Sequence, residues 1–218
     1  MMRKNIGKLK TSQTREAGNP YYQTPEPKPQ QRYKYLITEE IEALLACITS
    51  MRDRAIFRLA YQHGLRASEI GKIQMTDYRP GKSKAADQDR LVIERLKGSI
   101  GGDTRLVPAA AVAIRHWVKK RGYTPGPLFI TREGTPIGQR QLDRLMKRYC
   151  LRVGIPREKA HFHTLKHTCG TIMLSVLKES VAHVQAHLGH ADIRSTMVYA
   201  KLTEQANEER AARLRNWR

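Results

Sequence analysis

The chain has 218 residues, 40% of them hydrophobic, and its 40 lysines and arginines outnumber its 20 aspartates and glutamates to give a formal net charge of +20. This apolar content is enough for one packed domain of ordinary size and excludes wholesale disorder. Without an apolar run of about 18 residues or an apolar leader, we expect no transmembrane helix and no secretory signal. The 3 cysteines are far apart and form no CxxC pair, which argues against a disulfide framework or a zinc ribbon. We therefore expect a soluble, cytoplasmic protein without a membrane partner.

The positive charge is spread over the whole chain. Residues 1–35 carry 8 basic and 2 acidic side chains, and residues 36–218 carry the remaining 32 and 18. A charge of this size favours a polyanionic partner, because each neutralised phosphate releases counterions. We therefore expect double-stranded DNA as the partner, with a merely basic and soluble surface as the alternative.

The elements follow from composition and apolar spacing. Residues 1–35 are rich in Pro, Gln, Lys and Arg and poor in aliphatic side chains, which predicts a basic, disordered N-terminal arm. Order begins near Thr38, which we expect to cap a helix. In chain order, the spacing predicts helices from Thr38 to Ile48, Ala55–His63, Glu69–Met75 (with Ser68 as its cap), Ala109–Lys120, Gln139–Val153, His167–Leu177, Val181–Leu188, Ile193–Tyr199 and Thr203 to about Arg215.

A change of pattern interrupts the helices before residue 108. Arg90–Leu96 and Thr104–Val107 are extended runs on either side of the glycine-rich turn Gly98–Asp103, which indicates a β-hairpin. Leu128–Ile130 is a candidate for a further short strand. The prediction is a mixed α/β fold, mainly α-helical, with a small antiparallel β-sheet.

Two polar clusters lie at predicted helix starts. In the segment HGLRASEI, Gly64 permits a tight turn, and Arg66 just before a helix can bind a phosphate with its planar guanidinium. On its own, an Arg–Glu pair in such a turn is more often structural. In the segment HTLKHT, His163 and Lys166 share one helix face and can point at one anion.

A third cluster, LGHADIRSTMVY, places Tyr199 nine residues after His190. A single tyrosine on a helix usually packs half-buried. The spacing of His163 and His167 also allows a metal site, but Thr164 stands where the zinc-protease pattern HExxH has glutamate. Because no acidic ligand accompanies the histidines, a metal-dependent hydrolase is the weakest hypothesis, and we expect neither a metal nor a cofactor.

Taken together and in this order, the clusters resemble the tyrosine recombinase (phage integrase) family over about residues 36–205. That family has an arginine in a GLRxSE segment, a lysine on a β-hairpin, an HxLRH segment, and an LGH segment followed by a tyrosine nine residues later. The matching residues here are Gly64–Glu69, Lys97, His163–His167, Leu188–His190 and Tyr199. The resemblance implies a recombinase-like catalytic domain over residues 36–202 and a C-terminal helix or tail, 203–218, that can contact a neighbouring protomer.

The resemblance also implies a reaction, namely site-specific cutting and rejoining of DNA through a 3′-phosphotyrosine intermediate, without ATP or metal. The outcome would be integration, excision, inversion or resolution. The implied roles are Tyr199 as nucleophile, Arg66 and Lys166 as phosphate-binding cations, Lys97 as the acid for the leaving 5′ oxygen, His163 as the proton-transfer partner of the tyrosine, His190 as a phosphate hydrogen-bond donor, and Glu69 as the residue that orients this cluster.

Lys166 departs from the family pattern, which has arginine at that position. Lysine keeps the charge but loses the two-point fork. Three interpretations remain open: Lys166 suffices as a point charge, a nearby arginine such as Arg152 or Arg157 substitutes for it in space, or the protein is a DNA-binding regulator with weak or lost catalysis.

A second departure is architectural, because most family members carry a helical DNA-binding domain before the catalytic domain. Here about 35 residues precede the first predicted helix, as in the short members typified by fimbrial phase-variation invertases. The resemblance implies a homotetramer on DNA and assistance from accessory DNA-bending proteins. In the tail, we expect Leu214 and Trp217 to be apolar anchors on a neighbouring or the same protomer.

Overall fold

The computed structural model describes residues 34–83, 86–95, 101–201 and 215. Within these ranges it contains eight α-helices, three β-strands and two short 3₁₀ turns, and none of the helices is long and apolar enough to cross a membrane. The elements are α1 (Thr38–Cys47), α2 (Met51–Gln62), α3 (Ala67–Ile70), β1 (Tyr78–Arg79), β2 (Arg90–Ile93), β3 (Gly102–Arg105), α4 (Pro108–Arg121), α5 (Gln139–Arg152), α6 (Thr164–Ser175), α7 (Val181–Leu188) and α8 (residues 194–201), with the 3₁₀ turns at Met75–Asp77 and Arg157–Lys159.

Helix α2 lies in the core and packs against α4 and α6. Its Ile56, Phe57 and Leu59 are fully buried. The ring of Phe57 meets Tyr149 and Phe162 edge-on, each at a centroid distance of 5.5 Å. Burying one such side chain stabilises the fold by about 1.5–3 kcal/mol. Because α2 is held along its length, the turn at its C-terminal end is held too, and that turn carries the first polar cluster.

The three strands form an antiparallel sheet in the order β1-β2-β3. Leu91 and Ile93 are buried, whereas their neighbours on β2 are half-buried, so one face of the sheet covers the core. Buried Asp89 fixes the sheet to α4 by accepting a hydrogen bond from the Tyr78 hydroxyl at 2.5 Å and forming an ion pair with Arg115. The fold is thus mainly helical with a small antiparallel sheet, as the sequence predicts.

The β2–β3 hairpin and helices α4, α5 and α7 lie where the sequence predicts them, to within one or two residues at most ends. Other boundaries differ. Helix α2 begins at Met51, four residues earlier than expected, because the Ser50 hydroxyl accepts a hydrogen bond from the Asp53 N–H at 3.3 Å and caps it. Helix α6 begins at Thr164 rather than at His167.

Thr38 is not the cap of α1, because the helix begins at Thr38 and its N-cap is Ile37. Other sequence predictions are also wrong. The predicted helix Glu69–Met75 is the four-residue α3, whose N-cap is Arg66 rather than Ser68. The predicted strand Leu128–Ile130 is an irregular segment, in which Leu128 donates to the Ile73 carbonyl and Ile130 forms a single bridge with Pro136. The predicted arm up to residue 33, residues 98–100 of the predicted turn Gly98–Asp103 and the predicted tail helix, except residue 215, lie outside the described residues. The predicted end of that turn is wrong, because Gly102 and Asp103 belong to β3.

Candidate active site

A tight turn after α2 places Arg66. Gly64 has φ 58°, in the left-handed region, and a side chain there would overlap Leu188 at the end of α7. The turn is closed by a hydrogen bond from the Leu65 N–H to the Ala60 carbonyl at 3.1 Å. Glycine at this position therefore lets the end of α2 approach α7, and it brings Arg66 to the N-terminus of α3.

Glu69 is the centre of a buried charge cluster. Its side chain is 1% exposed, and its carboxylate accepts from the Arg66 guanidinium at 2.9 Å and from the Arg66 backbone N–H at 2.8 Å. Burial alone would raise the pKa of Glu69, but the Arg66 N–H and the charges of three neighbouring basic side chains hold it below its ordinary value. The carboxylate is therefore ionised and orients the cations around it.

Arg95, at the end of β2, is a second arginine on this carboxylate. Its guanidinium pairs with Glu69 at 3.2 Å and also donates to three backbone carbonyls, those of His63, Gly64 and His187, at 3.0–3.2 Å. The side chain is 5% exposed. One planar fork thus joins the hairpin, the turn after α2 and the end of α7. Sequence reasoning missed Arg95, because a basic residue at the end of a strand usually points into solvent.

Lys166 lies on α6 and is 1% exposed. Its ammonium donates to the Leu188 carbonyl at 2.8 Å, which ties α6 to the end of α7. Burial and then the charges of Arg66 and Arg95 lower the pKa of Lys166 to about 7. An arginine at this position would stay charged, whereas this lysine titrates near neutral pH.

His163 is the N-cap of α6 and is exposed. It lines a cavity of about 350 Å³ together with Arg66, Ser68 and the α5 residues Gln139 and Asp143. Desolvation and then the charges of Lys166 and Arg66 lower the pKa of His163. The cavity thus has an arginine and a neutral imidazole on its wall, a combination that suits an anionic group.

Tyr199 lies on α8, in a small apolar cluster with Cys169, Val184 and Leu188, and is 2% exposed. Its hydroxyl lies 3.2 Å from Nδ1 of His167, and the Tyr199 ring packs so closely on Gly170 that a side chain there would displace it. Burial and then the charge of His163 lower the pKa of His167 to about 3, so its ring is neutral beside the tyrosine hydroxyl.

The ring of His190 lies nearly parallel to the ring of Tyr199. The two rings lie 6.2 Å apart at an angle of 18°, and Nδ1 of His190 is 2.9 Å from the Thr196 hydroxyl. Burial, followed by the charges of Lys166 and Arg66, lowers the pKa of His190 to about 4. The charges that act on His190 belong to the cation cluster around Glu69, so tyrosine, imidazoles and cations form one contiguous group.

A model of the phage integrase family matches residues 34–206. The chain belongs to the phage integrase family. Sequence relatives include the tyrosine recombinase XerC of Chromobacterium violaceum, which is 35% identical over 156 residues, covering 69% of this chain and 48% of that protein. XerC of Ralstonia pickettii is 33% identical over 80% of this chain and 58% of its own length. The chain therefore spans about half the length of these relatives.

Other members of the phage integrase family are nearer to this chain in length. The type 1 fimbriae regulatory protein FimE of Escherichia coli K12 is 27% identical over 175 residues, which cover 76% of this chain and 84% of FimE. Among solved structures, the XerH site-specific recombinase bound to palindromic difH substrate matches with a TM-score of 0.69 and 23% identity, over 83% of this chain and 53% of that one. XerA recombinase matches with a TM-score of 0.69 and 21% identity, over 86% and 67%. The fold of the chain is that of these recombinases.

Six of the seven site residues that the sequence singles out come together in the structure, and the seventh lies outside the described residues. Arg66, Glu69, His163, Lys166, His190 and Tyr199 all contribute to the contiguous group described above. Lys97 lies in the segment 96–100, outside the described residues. Arg95, two residues before it, is bonded to Glu69.

The structure also shows where the arginines lie that could replace the family arginine at the position of Lys166. The contacts of Arg152 are with the Cys47 carbonyl at 3.3 Å and the Tyr149 ring, and Arg157 is exposed on a 3₁₀ turn. The arginine that joins Arg66 on Glu69 is Arg95 instead. His167 was also missed as a tyrosine partner, although its place one turn after His163 could have indicated it. Across the described ranges, no three His, Cys, Asp or Glu side chains are placed to hold a metal ion.

Proposed function

We propose that the chain is a site-specific DNA recombinase that cuts and rejoins DNA through a 3′-phosphotyrosine intermediate. The observation that carries the proposal is the position of Tyr199, whose hydroxyl lies 3.2 Å from His167, next to His190 and the cations around Glu69. Membership of the phage integrase family and the tyrosine recombinase relatives support it. A phosphoryl transfer needs an activated nucleophile and positive charge at the phosphate, and this group of residues offers both.

In the proposed cleavage step, the Tyr199 oxygen bonds to the scissile phosphorus and the bond from phosphorus to the 5′ oxygen breaks. The proton of the tyrosine goes to the histidine pair: His167 is within hydrogen-bond distance of the hydroxyl, and His163, whose ring meets that of His167 edge-on at 4.5 Å, is open to solvent. The departing 5′ oxygen takes a proton from Lys97. Rejoining is the reverse attack by a 5′ hydroxyl of the partner strand, so no external energy source is needed.

The cations stabilise the charge that develops on the phosphate. Arg66 binds the non-bridging oxygens with its fork, and Lys166 adds a second positive charge when it is protonated. His190 donates a hydrogen bond to the phosphate from the ring nitrogen that does not contact Thr196. Glu69 and Arg95 touch no substrate in this scheme; they position Arg66 and the end of α7.

Double-stranded DNA is the proposed substrate, in line with the net charge of +20 and with structural neighbours that are recombinases bound to DNA. Exchange between two duplexes requires four strand cuts and one nucleophile for each, so we propose a homotetramer on DNA, assisted by accessory DNA-bending proteins. Such an assembly could integrate, excise, invert or resolve DNA with the same chemistry.

A nicked suicide duplex tests the proposal. Duplexes bound by the Tyr199→Phe variant are first selected from a random pool. A nick just 3′ of the cleavage position then lets the short fragment that carries the free 5′ hydroxyl escape. The expected result is a DNA–protein adduct that survives denaturing electrophoresis, is absent with Tyr199→Phe, and is insensitive to EDTA. Specific binding without any adduct would instead identify a DNA-binding regulator on the same fold.

A further inference from the structure

A second cavity of about 840 Å³ lies apart from the catalytic group. It is bounded by the N-terminal end of α2, the C-terminal end of α4, the segment 130–133 and one face of α5. We call it the basic groove, because its lining includes six basic side chains and two acidic ones, a net charge of +4: Arg52, Lys120, Arg132, Arg144, Arg148 and Arg152 against Asp53 and Glu133. None of the proposed catalytic residues that the structure describes lines it.

Part of this charge is already satisfied inside the protein. Asp53 forms an ion pair with Arg52 at 2.8 Å and accepts a hydrogen bond from the Tyr149 hydroxyl at 2.8 Å. Arg152 is held by the Cys47 carbonyl and the Tyr149 ring. Because Asp53 already neutralises Arg52, it does not offset the remaining cations of the groove.

Four cations of the groove remain unsatisfied. In the ranges that the structure describes, the exposed side chains of Lys120, Arg132, Arg144 and Arg148 make no ion pair and no hydrogen bond. Placing several like charges around one cavity costs free energy through mutual repulsion. A bound polyanion would offset that repulsion, so the charge of the groove favours a polyanionic ligand.

The spacing of the arginines on α5 suits a row of phosphates. Arg144, Arg148 and Arg152 are four residues apart and lie on one face of the helix. At 1.5 Å per residue this stripe is about 12 Å long. Along the duplex axis one DNA strand rises 3.4 Å per nucleotide, so a stripe parallel to that axis covers the rise of about three to four nucleotides of one strand.

Helix α5 connects the groove with the catalytic group. Its residues Gln139 and Asp143 line the cavity that holds Arg66 and His163, whereas Gln141 and Arg144 line the groove. We propose that the basic groove binds the phosphate backbone of the same duplex that is cut at Tyr199, at nucleotides outside those held by the catalytic residues. The inference rests on the proposed function for the identity of the duplex, but it concerns affinity and footprint rather than chemistry.

The test is a salt titration of DNA binding by the full-length protein. The slope of log Kobs against log[salt] is negative, and each lost phosphate contact reduces its magnitude by about 0.9 on duplex DNA. The Arg144→Gln/Arg148→Gln variant should therefore lose about 1.8 from this slope on a long fluorescent duplex. The matched control, Arg58→Gln/Lys119→Gln, removes the same charge outside the groove and should change the slope little. Arg144→Lys/Arg148→Lys keeps both charges and should restore the slope, which separates lost contacts from misfolding.

A series of duplexes from about 10 to about 30 bp, in steps of about half a helical turn, locates the contacts. We expect the groove variant to match the wild type on the shortest duplex and to fall behind as the duplex lengthens. A slope equal to that of the control on every duplex would overturn the proposal, as would an equal loss at all lengths. A change in self-association with an unchanged slope would identify a protein interface and also overturn it.

Adduct formation separates this inference from the proposed function. On saturating suicide duplex at low salt, the groove variant should still form the adduct, whereas Tyr199→Phe should form none and keep the wild-type salt slope. Failure of the recombinase proposal would remove the adduct from the wild type and leave the salt slopes informative. Failure of the groove proposal would leave the adduct intact and remove the difference between the groove and control variants.

Discussion

The two halves of the candidate site are built differently. The half around Glu69 consists of buried charges that one carboxylate and several backbone carbonyls hold in place, with Arg95 alone making contacts at 3.0–3.2 Å to four groups. The half around Tyr199 consists of neutral rings and a four-residue apolar cluster that joins α8 to α6 and α7. Removing one member of a buried charge network costs about 3–5 kcal/mol, whereas a neutral hydrogen bond contributes about 1 kcal/mol.

This difference indicates that the fold itself prepares the phosphate-binding half. Glu69 and Arg95 connect α3, the hairpin, the turn after α2 and α7, so the cations keep their places as long as the domain is folded. The nucleophile half depends on weaker, local packing of α8 on α6 and α7. Substitutions in the first half should therefore change folding stability as well as chemistry, and substitutions in the second half should change chemistry alone.

The largest expected effect follows from Glu69→Ala. The change leaves the buried guanidinium of Arg95 without its acid, and we expect the free energy of unfolding to fall by about 3–5 kcal/mol in urea denaturation. Asp103→Ala removes an exposed partner of Arg79 and Arg90 and serves as the control, with an expected loss below about 1 kcal/mol. Adding Arg95→Met to Glu69→Ala should recover part of the stability. A double variant no more stable than the single one would contradict the charge-network account.

In the other half, His167→Phe should act on chemistry alone. Phenylalanine keeps a ring next to Tyr199 but removes the nitrogen at 3.2 Å from its hydroxyl. We expect adduct formation on a suicide duplex to slow by at least about 10²-fold, the usual contribution of an acid–base group, with little change in unfolding. His163→Phe, at the solvent side of the pair, should have a smaller effect. An unchanged rate for His167→Phe would assign the proton transfer to His163 instead.

Lys166→Arg changes a cation in the half around Glu69, and its effect is measured through adduct formation at Tyr199 in the other half. Because the pKa of Lys166 is lowered to about 7, rising pH removes its charge from the free protein, and an arginine keeps it. We expect the variant to cleave faster than the wild type, and the ratio of their second-order adduct rates to rise by about tenfold between pH 6 and pH 8. A ratio that stays flat with pH would show that Lys166 does not titrate in this range. A slower variant at all pH values would show a site adapted to lysine.

The smallest effect is expected from Thr196→Val, which removes the hydroxyl at 2.9 Å from Nδ1 of His190 while keeping the shape of the buried side chain. A lost hydrogen bond of about 1 kcal/mol corresponds to an adduct rate about fivefold lower. Thr171→Val is the matched control, since its buried hydroxyl has no partner among the described residues. Equal rates for the two variants would remove Thr196 as the residue that positions His190.

The sequence predicts local features of this molecule well and long-range ones poorly. Helices α4, α5 and α7 have start signals and periodicity within their own segments, and the three polar clusters that carry the family resemblance are short and contiguous. The role of Arg95 depends on carbonyls 31 and 32 residues before it and 92 residues after it, and no local pattern carries that information. The composition of Leu128–Ile130 is typical of a strand, but the segment forms only an isolated bridge, from Ile130 to Pro136, and does not pair along the edge of a sheet.

The sequence alone does not predict the basic groove either. Its cations come from α2, α4, α5 and the segment 130–133, and each taken alone is an ordinary exposed lysine or arginine. The sequence suggests Arg152 only as a substitute for a catalytic arginine, whereas in the structure it lines this groove. Only the packing of the four segments shows that these charges surround one cavity.

The central claim is that the Tyr199 oxygen becomes covalently bound to DNA. Peptide mapping by mass spectrometry of the adduct trapped on a nicked duplex tests it most directly. We expect a nucleotide esterified to Tyr199 through a 3′ phosphate, with the 5′ end of the released fragment carrying a free hydroxyl. An adduct mapped to another residue, or a 5′ linkage to the protein, would contradict it.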